Sequence, residues 1–140
     1  MSSIQENAEE LVDEFMLFDE WMDKYEHIIE MGKDLPAIDD NDKTEENLVK
    51  GCQSKVWLVA ENNNGIIEYK ADSDAVITKG IIAMLVRVLS GHPAEEIANA
   101  NLDFIEEIGL KDHLSPNRSN GLVAMVKQMK FYALAHTVKN

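Results

Sequence analysis

Cys52 is the only cysteine of the 140-residue chain, and it lies in the run Gly51-Cys52-Gln53-Ser54. The glycine permits tight backbone conformations and adds no bulk beside the sulfur. A solitary thiol forms no disulfide within the chain, so it acts either as a small hydrophobe or as a nucleophile. Lys50 and Lys55 flank the run, and if they lie close in space we expect them to favour the reactive thiolate. The pattern predicts an accessible thiol on a loop.

The sequence supplies no partner set for independent catalysis by Cys52. A cysteine hydrolase needs a histidine base that is oriented by a third group, and without a second cysteine there is neither a Cys-x-x-Cys redox pair nor a zinc cage. Leu58 stands where a phosphatase loop would carry arginine. We therefore expect a protein that receives a group, with no metal site and no enzymatic activity of its own. The four scattered histidines are expected in surface or capping roles: His27, His92, His113 and His136.

Hydrophobic spacing predicts two helices ahead of Cys52. Ser3 and Glu6 form a capping-box pattern at the start of the first helix. For the second helix, Asp19 is the expected cap and Gly32 is expected just past the end. We expect the two helices to form an antiparallel hairpin.

After Cys52 the apolar period changes to two, which predicts strands at about 54–61 and 65–72 around the turn Asn62-Asn63-Asn64-Gly65. Asp74 is expected to cap a helix over about Val76 to Leu89. Shorter helices are predicted after His92-Pro93 and before Gly109, and a long one from Ser115-Pro116. The elements indicate an α+β fold in a single domain, residues 1–140, in which helices cover one side of a small antiparallel sheet.

Charge is distributed unevenly along the chain. Residues 1–46 hold 16 of the 26 acidic residues and three lysines, so the whole net charge of −13 arises there. Either this is a solvated face, or it steers the protein toward a basic partner. It disfavours nucleic acid as a partner. Because the N-terminal residues resemble no signal peptide and no apolar run approaches the ~20 residues of a membrane span, we expect a cytoplasmic protein without a membrane partner.

Two long motifs resemble those of the SufE family of sulfur-acceptor proteins. The first is Gly51-Cys52-Gln53-Ser54 with Val56-Trp57-Leu58, and the second is Leu114-Ser115-Pro116-Asn117-Arg118-Ser119-Asn120-Gly121-Leu122. The resemblance implies a sulfur acceptor and activator of a pyridoxal-phosphate (PLP) cysteine desulfurase of the SufS or CsdA type, the PLP belonging to that partner. Cys52 would take persulfide sulfur and relay it to iron–sulfur cluster assembly, on a scaffold such as the SufBCD complex.

The same resemblance implies a fold similar to that of IscU-type cluster scaffolds. Those scaffolds bind clusters through several cysteines, whereas this chain has one, so we expect no cluster on it. Besides Cys52, the candidate site residues are expected to shape the loop or contact the partner. Helix capping is the alternative for Asp74, and a bond to backbone or a carboxylate is the alternative for Arg118. These candidates are Gly51, Gln53, Ser54, Asp74 and Arg118.

Cys52 is hypothesised to sit on a mobile loop from Leu48 to Ser54, partly sheltered at rest and extended when a partner docks. Gly51 would be its hinge, or would only make a turn. If Cys52 were instead buried and inert, the chain would be an acidic interaction module that binds a basic partner through its N-terminal helices, without sulfur chemistry.

Overall fold

The computed structural model describes residues 3–138, and within that range it is an α+β fold of a three-stranded antiparallel sheet and several helices. No helix in this range is both long and apolar enough to cross a membrane. The helices are α1 (Ile4–Met16), α2 (Trp21–Lys33), α3 (Val76–Leu89), α4 (Ala94–Ala98), α5 (Phe104–Ile108), α6 (Leu110–His113) and α7 (Pro116–Val138), and the strands are β1 (Val56–Asn63), β2 (Ile66–Ser73) and β3 (His92–Pro93), with 3-10 turns at Asp40–Asp42 and Glu45–Asn47.

The capping box at the start of α1 is confirmed. Ser3 Oγ accepts a hydrogen bond from the Glu6 N–H at 3.0 Å, and the Glu6 carboxylate accepts one from the Ser3 N–H at 3.2 Å. The cap predicted at Asp19 is wrong, because α2 begins one residue later than that cap requires. Glu20 occupies its N-cap position and makes no side-chain capping bond.

Gly32 lies inside the last turn of α2 rather than beyond the helix, because α2 crosses α3 there at backbone distance. A Cβ added to Gly32 would lie 2.9 Å from the Gly80 nitrogen, and one added to Gly80 would overlap the Ile28 carbonyl oxygen. Helix α2 therefore packs chiefly on α3. The predicted α1–α2 hairpin is not the main packing of either helix: α1 packs chiefly on α3 and α5, and it meets α2 through His27, which contacts Glu14 and Phe15.

The β1–β2 hairpin is confirmed, with strand boundaries one to two residues later than expected. Its register runs from Val56 opposite Ser73 to Asn63 opposite Ile66. Asn64 and Gly65 take φ angles of +56° and +91°, which are the positive values that tight hairpin turns require.

Strand β3 was not predicted. His92 and Pro93 were expected to open a helix, but they pair with Ile67 and Ile66 before α4 begins at Ala94. A two-residue strand is too short to leave a periodic pattern in the sequence. His92 is buried, so a surface role is wrong for it, whereas the capping alternative agrees with its position: its Nδ1 lies 3.3 Å from the carbonyl oxygen of Leu89, the last residue of α3.

The apolar faces of β1 and β2 pack under α3 and α7, as the one-sided arrangement predicted. Val56 and Leu58 are fully buried, whereas Trp57 and Val59 on the opposite face are partly exposed. Tyr69 ties the sheet to α7, because its hydroxyl donates to the Met129 carbonyl at 2.6 Å. This packing holds the first turns of α7 beside the segment that leads into β1. The apolar stripe of α7 is buried at Leu122, Met125, Met129 and Ala133.

Candidate functional site

The Cys52 segment is a short loop whose first end is anchored to β1. The Val49 N–H donates to the Val56 carbonyl at 2.8 Å, and Leu48 forms an isolated bridge with Trp57. Val49 is also buried. The stretch without such contacts is therefore shorter than the predicted Leu48–Ser54 loop and begins at Lys50, and its mobility stays a prediction.

Asp74 anchors the other end of the loop. Its Oδ1 accepts a hydrogen bond from the Lys55 N–H at 3.0 Å, and its own N–H donates to the Lys55 carbonyl at 3.2 Å. The expected capping of α3 by Asp74 is wrong, because Ala75 occupies the N-cap position and no side chain caps it. In the described part of the chain, no backbone hydrogen bond holds residues 50–54 between the two anchors.

Gly51 takes a backbone conformation that favours glycine. Its φ of +97° lies in the left-handed region, and a Cβ at this position would approach the Ala124 Cβ to 3.2 Å. Glycine thus permits both the turn and the close contact of the loop with α7. A hinge at Gly51 stays a prediction.

The Cys52 side chain points toward α7 and is half-buried. Its S–H donates to the Gly121 carbonyl, with Sγ 3.6 Å from the oxygen. A cleft of about 310 Å³ adjoins the sulfur. The thiol is sheltered, but open space lies next to it. The cleft is lined by Cys52, Gln53, Ser54, Thr78, Ile81, Ser115, Asn117, Arg118, Gly121 and Met125.

Burial raises the pKa of Cys52 above the ordinary value for a thiol. The cause is loss of solvation, which penalises the charged thiolate. Lys50 and Lys55 are both exposed, and neither contributes to the shift. The expectation that these lysines favour the thiolate is therefore wrong for this conformation, in which the neutral thiol is favoured.

Arg118 reaches the cleft from the first turn of α7. Its N–H donates to Ser115 Oγ at 3.3 Å, and its guanidinium Nη1 donates to the Tyr25 hydroxyl at 3.4 Å. The side chain is exposed and makes a bond to a tyrosine rather than to backbone or a carboxylate. A role of Arg118 in partner binding stays a prediction.

The structure thus gathers Cys52, Gln53, Ser54 and Arg118 around one cleft, with Gly51 and Asp74 at the turn and the anchor of the loop. Sequence reasoning did not single out Thr78 or Gly121. Gly121 follows Arg118 by three residues, so helical spacing alone places both on one face of α7. The sequence gives a weaker indication for Thr78, because the position of Thr78 at the cleft depends on how α3 packs against α7.

Among the described residues, the only hydrogen-bond partner of the Cys52 thiol is the Gly121 carbonyl, and no side chain is bonded to it as a general base. None of the four histidines lines the cleft. His113 stacks on Trp21 with ring centroids 4.1 Å apart, and His27 bonds Glu14 at 3.1 Å. Within residues 3–138, no group of three or more His, Cys, Asp or Glu side chains is arranged to hold a metal ion. The arrangement can present one sulfur atom to another molecule.

The fold and the site define a small α+β protein that holds one thiol beside a cleft, on a loop anchored at both ends, and comparison with known families identifies its family. Residues 9–133 match the SufE family model, described as an Fe-S metabolism associated domain. The chain belongs to the SufE family and is thereby associated with iron–sulfur metabolism.

Relatives support the assignment. The chain is 41% identical to an uncharacterized SufE-like protein of Rhizobium etli over 129 residues, covering 89% of this chain and 87% of the relative. It is 45% identical to SufE-like protein 1, chloroplastic/mitochondrial, of Arabidopsis thaliana, covering 94% of this chain but 36% of that longer protein. Because that name gives organelles, the cytoplasmic location expected here stays a prediction.

A solved structure shares the fold. The solution structure of a hypothetical protein from Thermus thermophilus matches with a TM-score of 0.78 at 17% identity, covering 94% of this chain and 96% of that one.

Proposed function

We propose that this protein accepts sulfur from, and thereby activates, a PLP-dependent cysteine desulfurase of the SufS or CsdA type. The observation that carries the proposal is the placement of Cys52. In a chain of the SufE family, a solitary thiol lies half-buried beside a cleft, on a loop whose residues 50–54 have no backbone support between two anchors. The PLP belongs to the desulfurase, and we place both proteins in the cytoplasm.

The transfer step is an exchange between two cysteines. The Cys52 thiolate attacks the outer sulfur of the donor's cysteine persulfide, a bond forms between Cys52 Sγ and that sulfur, and the donor's S–S bond breaks. The donor cysteine leaves as a thiolate and takes up the proton that Cys52 gave up. Cys52 is formally oxidised to a persulfide while the donor persulfide is reduced to a thiol, so the exchange balances without an outside oxidant or reductant. Removing the persulfide frees the donor for its next turnover, which is how an acceptor activates it.

The loop explains how a sheltered thiol reaches another active site. At rest, the contact with the Gly121 carbonyl and burial against α7 keep Cys52 protonated. When the donor docks, residues 50–54 extend, Cys52 leaves this shelter, and its pKa falls toward the ordinary value. The persulfide then returns to the cleft and is carried to a cluster scaffold such as the SufBCD complex. One thiol is too few to hold a cluster itself.

The test is the mass of the intact protein after incubation with a SufS-type cysteine desulfurase, its PLP and cysteine. We expect a gain of sulfur that dithiothreitol removes, and faster donor turnover. Cys52→Ala is expected to show neither. Turnover of the same donor with dithiothreitol as acceptor is the control that the donor is active. An undiminished stimulation by Cys52→Ala would overturn the proposal.

Hydrogen exchange tests the loop motion. Val49 is expected to be protected by its bond to Val56, and residues 50–54 are expected to exchange fast, with a change on donor binding. Strong protection of residues 50–54 that the donor leaves unchanged would contradict the hinge.

The density of acidic residues favours a second candidate. Residues 1–46 hold 16 acidic residues, and most of the side chains among them are exposed. An interaction module that binds a basic partner would use this surface without sulfur chemistry. Binding to the partner with no gain of mass at Cys52 would favour this function over sulfur transfer.

A further inference from the structure

The outer face of α7 exposes large apolar side chains next to the Cys52 loop. Val123, Phe131 and Leu134 are 42%, 59% and 55% exposed. With Lys127 they follow a spacing of four, four and three residues, which places them on one stripe of the helix. The opposite stripe of α7 is the buried one, so this apolar surface is not needed for the core. Exposed apolar stripes of this kind mark binding surfaces.

A groove lies between this stripe and the loop, with a volume of about 680 Å³. We name it the α7 groove and define it by Lys50 and Gly51 on the loop and by Val123, Ala124, Lys127 and Phe131 on the helix. The loop packs on the helix at its edge, since a Cβ on Gly51 would come within 3.2 Å of the Ala124 Cβ. Anything seated in the α7 groove therefore touches the loop that carries Cys52.

The charges that line the α7 groove indicate the chemistry of the molecule that would bind there. Lys50 and Lys127 are exposed, no carboxylate lines the groove within the described residues, and the sequence has no acid from Leu114 onward. A surface with two lysines and no carboxylate is an exception in a chain whose net charge is −13. Its complement is an apolar segment flanked by carboxylates. A second copy of the chain is disfavoured as occupant, because two copies of such charge repel each other.

We infer that the α7 groove is the docking surface for the sulfur donor, and that the donor presents to it an apolar segment flanked by carboxylates. The inference rests on the proposed function. It assigns recognition to a surface separate from the sulfur-binding cleft. Phe131 and Val123 supply apolar contact, and the two lysines supply orientation and a faster encounter.

The experiment measures the affinity of the full-length chain for the SufS-type cysteine desulfurase of the same organism by titration calorimetry. Phe131→Ser is expected to weaken binding roughly 10-fold or more, as for a central aromatic contact. Lys127→Glu is expected to weaken it several-fold and to reduce the dependence of affinity on salt. Matched controls lie outside the groove: Leu17→Ser, at an 81% exposed leucine, and Lys33→Glu. Neither control is expected to change the affinity.

The outcomes separate this inference from the proposed function. If Phe131→Ser and Lys127→Glu bind as well as the original protein while Cys52 still gains sulfur, the docking surface is wrong and the function stands. Equal losses in the controls would also overturn the inference. If the original protein neither binds nor gains sulfur, both fail. A thermal melt of each variant shows that it is folded, as the exposure of Phe131 and Lys127 leads us to expect.

Discussion

At the level of one residue, the proposed function places two opposing requirements on Cys52. A persulfide carrier must not lose its sulfur to solvent thiols, yet its thiolate must attack quickly when the donor is present. The position beside Gly121 suits the first requirement, because half-burial limits access to the sulfur. In the proposed mechanism, the second requirement is met when the loop leaves α7. The mechanism thus controls reactivity through the position of Cys52.

The burial of Cys52 predicts how its rate of alkylation depends on pH. Since burial raises the pKa of Cys52, the folded protein holds less thiolate at neutral pH than an unstructured cysteine, whose pKa is about 8.5. We expect iodoacetamide to alkylate the folded protein more slowly at pH 7 than a peptide of residues 48–56, and the midpoint of the protein's rate against pH to lie above that of the peptide. A midpoint for the protein at or below that of the peptide would contradict the sheltered thiol.

Sequence reasoning located the thiol but misjudged its surroundings. The run Gly51-Cys52-Gln53-Ser54 predicts a loop, and the structure has one. The charge environment was misjudged because local sequence shows Lys50 and Lys55 but not Gly121, which is distant in the chain and covers the sulfur. Asp74 was assigned to the nearest helix, whereas the hairpin register brings it to Lys55 across the sheet. Both errors come from contacts between residues far apart in sequence.

At the scale of elements, the crossing of α2 and α3 fixes the helical layer over the sheet. It depends on Gly32 and Gly80, whose missing side chains let the two backbones meet. From the sequence alone, Gly32 is expected just past the end of α2. A glycine near the end of an apolar stripe is equally compatible with a C-cap and with a close contact between two helices, so the pattern does not distinguish them. The two strands of the hairpin and the long helix α7 were predicted correctly, since eight residues or more give a clear pattern. The two residues of β3 do not.

Gly80→Ala tests the crossing. The added Cβ would overlap the Ile28 carbonyl, so α2 must shift, and we expect a loss of about 3 kcal/mol or more in the free energy of unfolding. The matched control is Gly91→Ala, where no atom lies within 4 Å and only the positive φ of +82° is strained. That variant is expected to lose about 1 kcal/mol. Urea unfolding measures both, and equal losses would count against backbone contact at Gly80.

At the scale of the whole molecule, charge is segregated. Most of the acidic residues lie in α1, α2 and the turns that follow, whereas the α7 groove and the cleft beside Cys52 carry Lys50, Lys127 and Arg118 and, in the described part of the chain, are lined by no carboxylate. Repulsion within the acidic part opposes folding, and ions of the solvent screen it. Salt is therefore expected to have two opposite effects. It should raise the stability of the fold by screening the acidic part, and it should weaken binding through the α7 groove.

We predict that the thermal midpoint rises when sodium chloride is increased from low to physiological concentration, in one cooperative transition if the chain is the single domain expected from its length. Asp13→Lys with Glu26→Lys, at two exposed positions, should raise the midpoint at low salt and reduce its salt dependence. The exposed Lys70→Gln is the control that changes charge in the opposite sense. A midpoint that falls on adding salt would contradict repulsion within the acidic part.

The two anchors of the Cys52 loop also set a maximum reach. Cys52 is three residues from Val49 and three from Lys55. Because a fully stretched chain spans at most about 3.6 Å per residue, the backbone at Cys52 can lie at most roughly 10 Å from either anchor. A desulfurase whose persulfide lies farther than this below the entrance of its active site is out of reach of Cys52 while both anchors stay hydrogen-bonded. If the proposed function holds, the depth of the donor's entrance, as much as its chemistry, determines which desulfurases can transfer sulfur to Cys52.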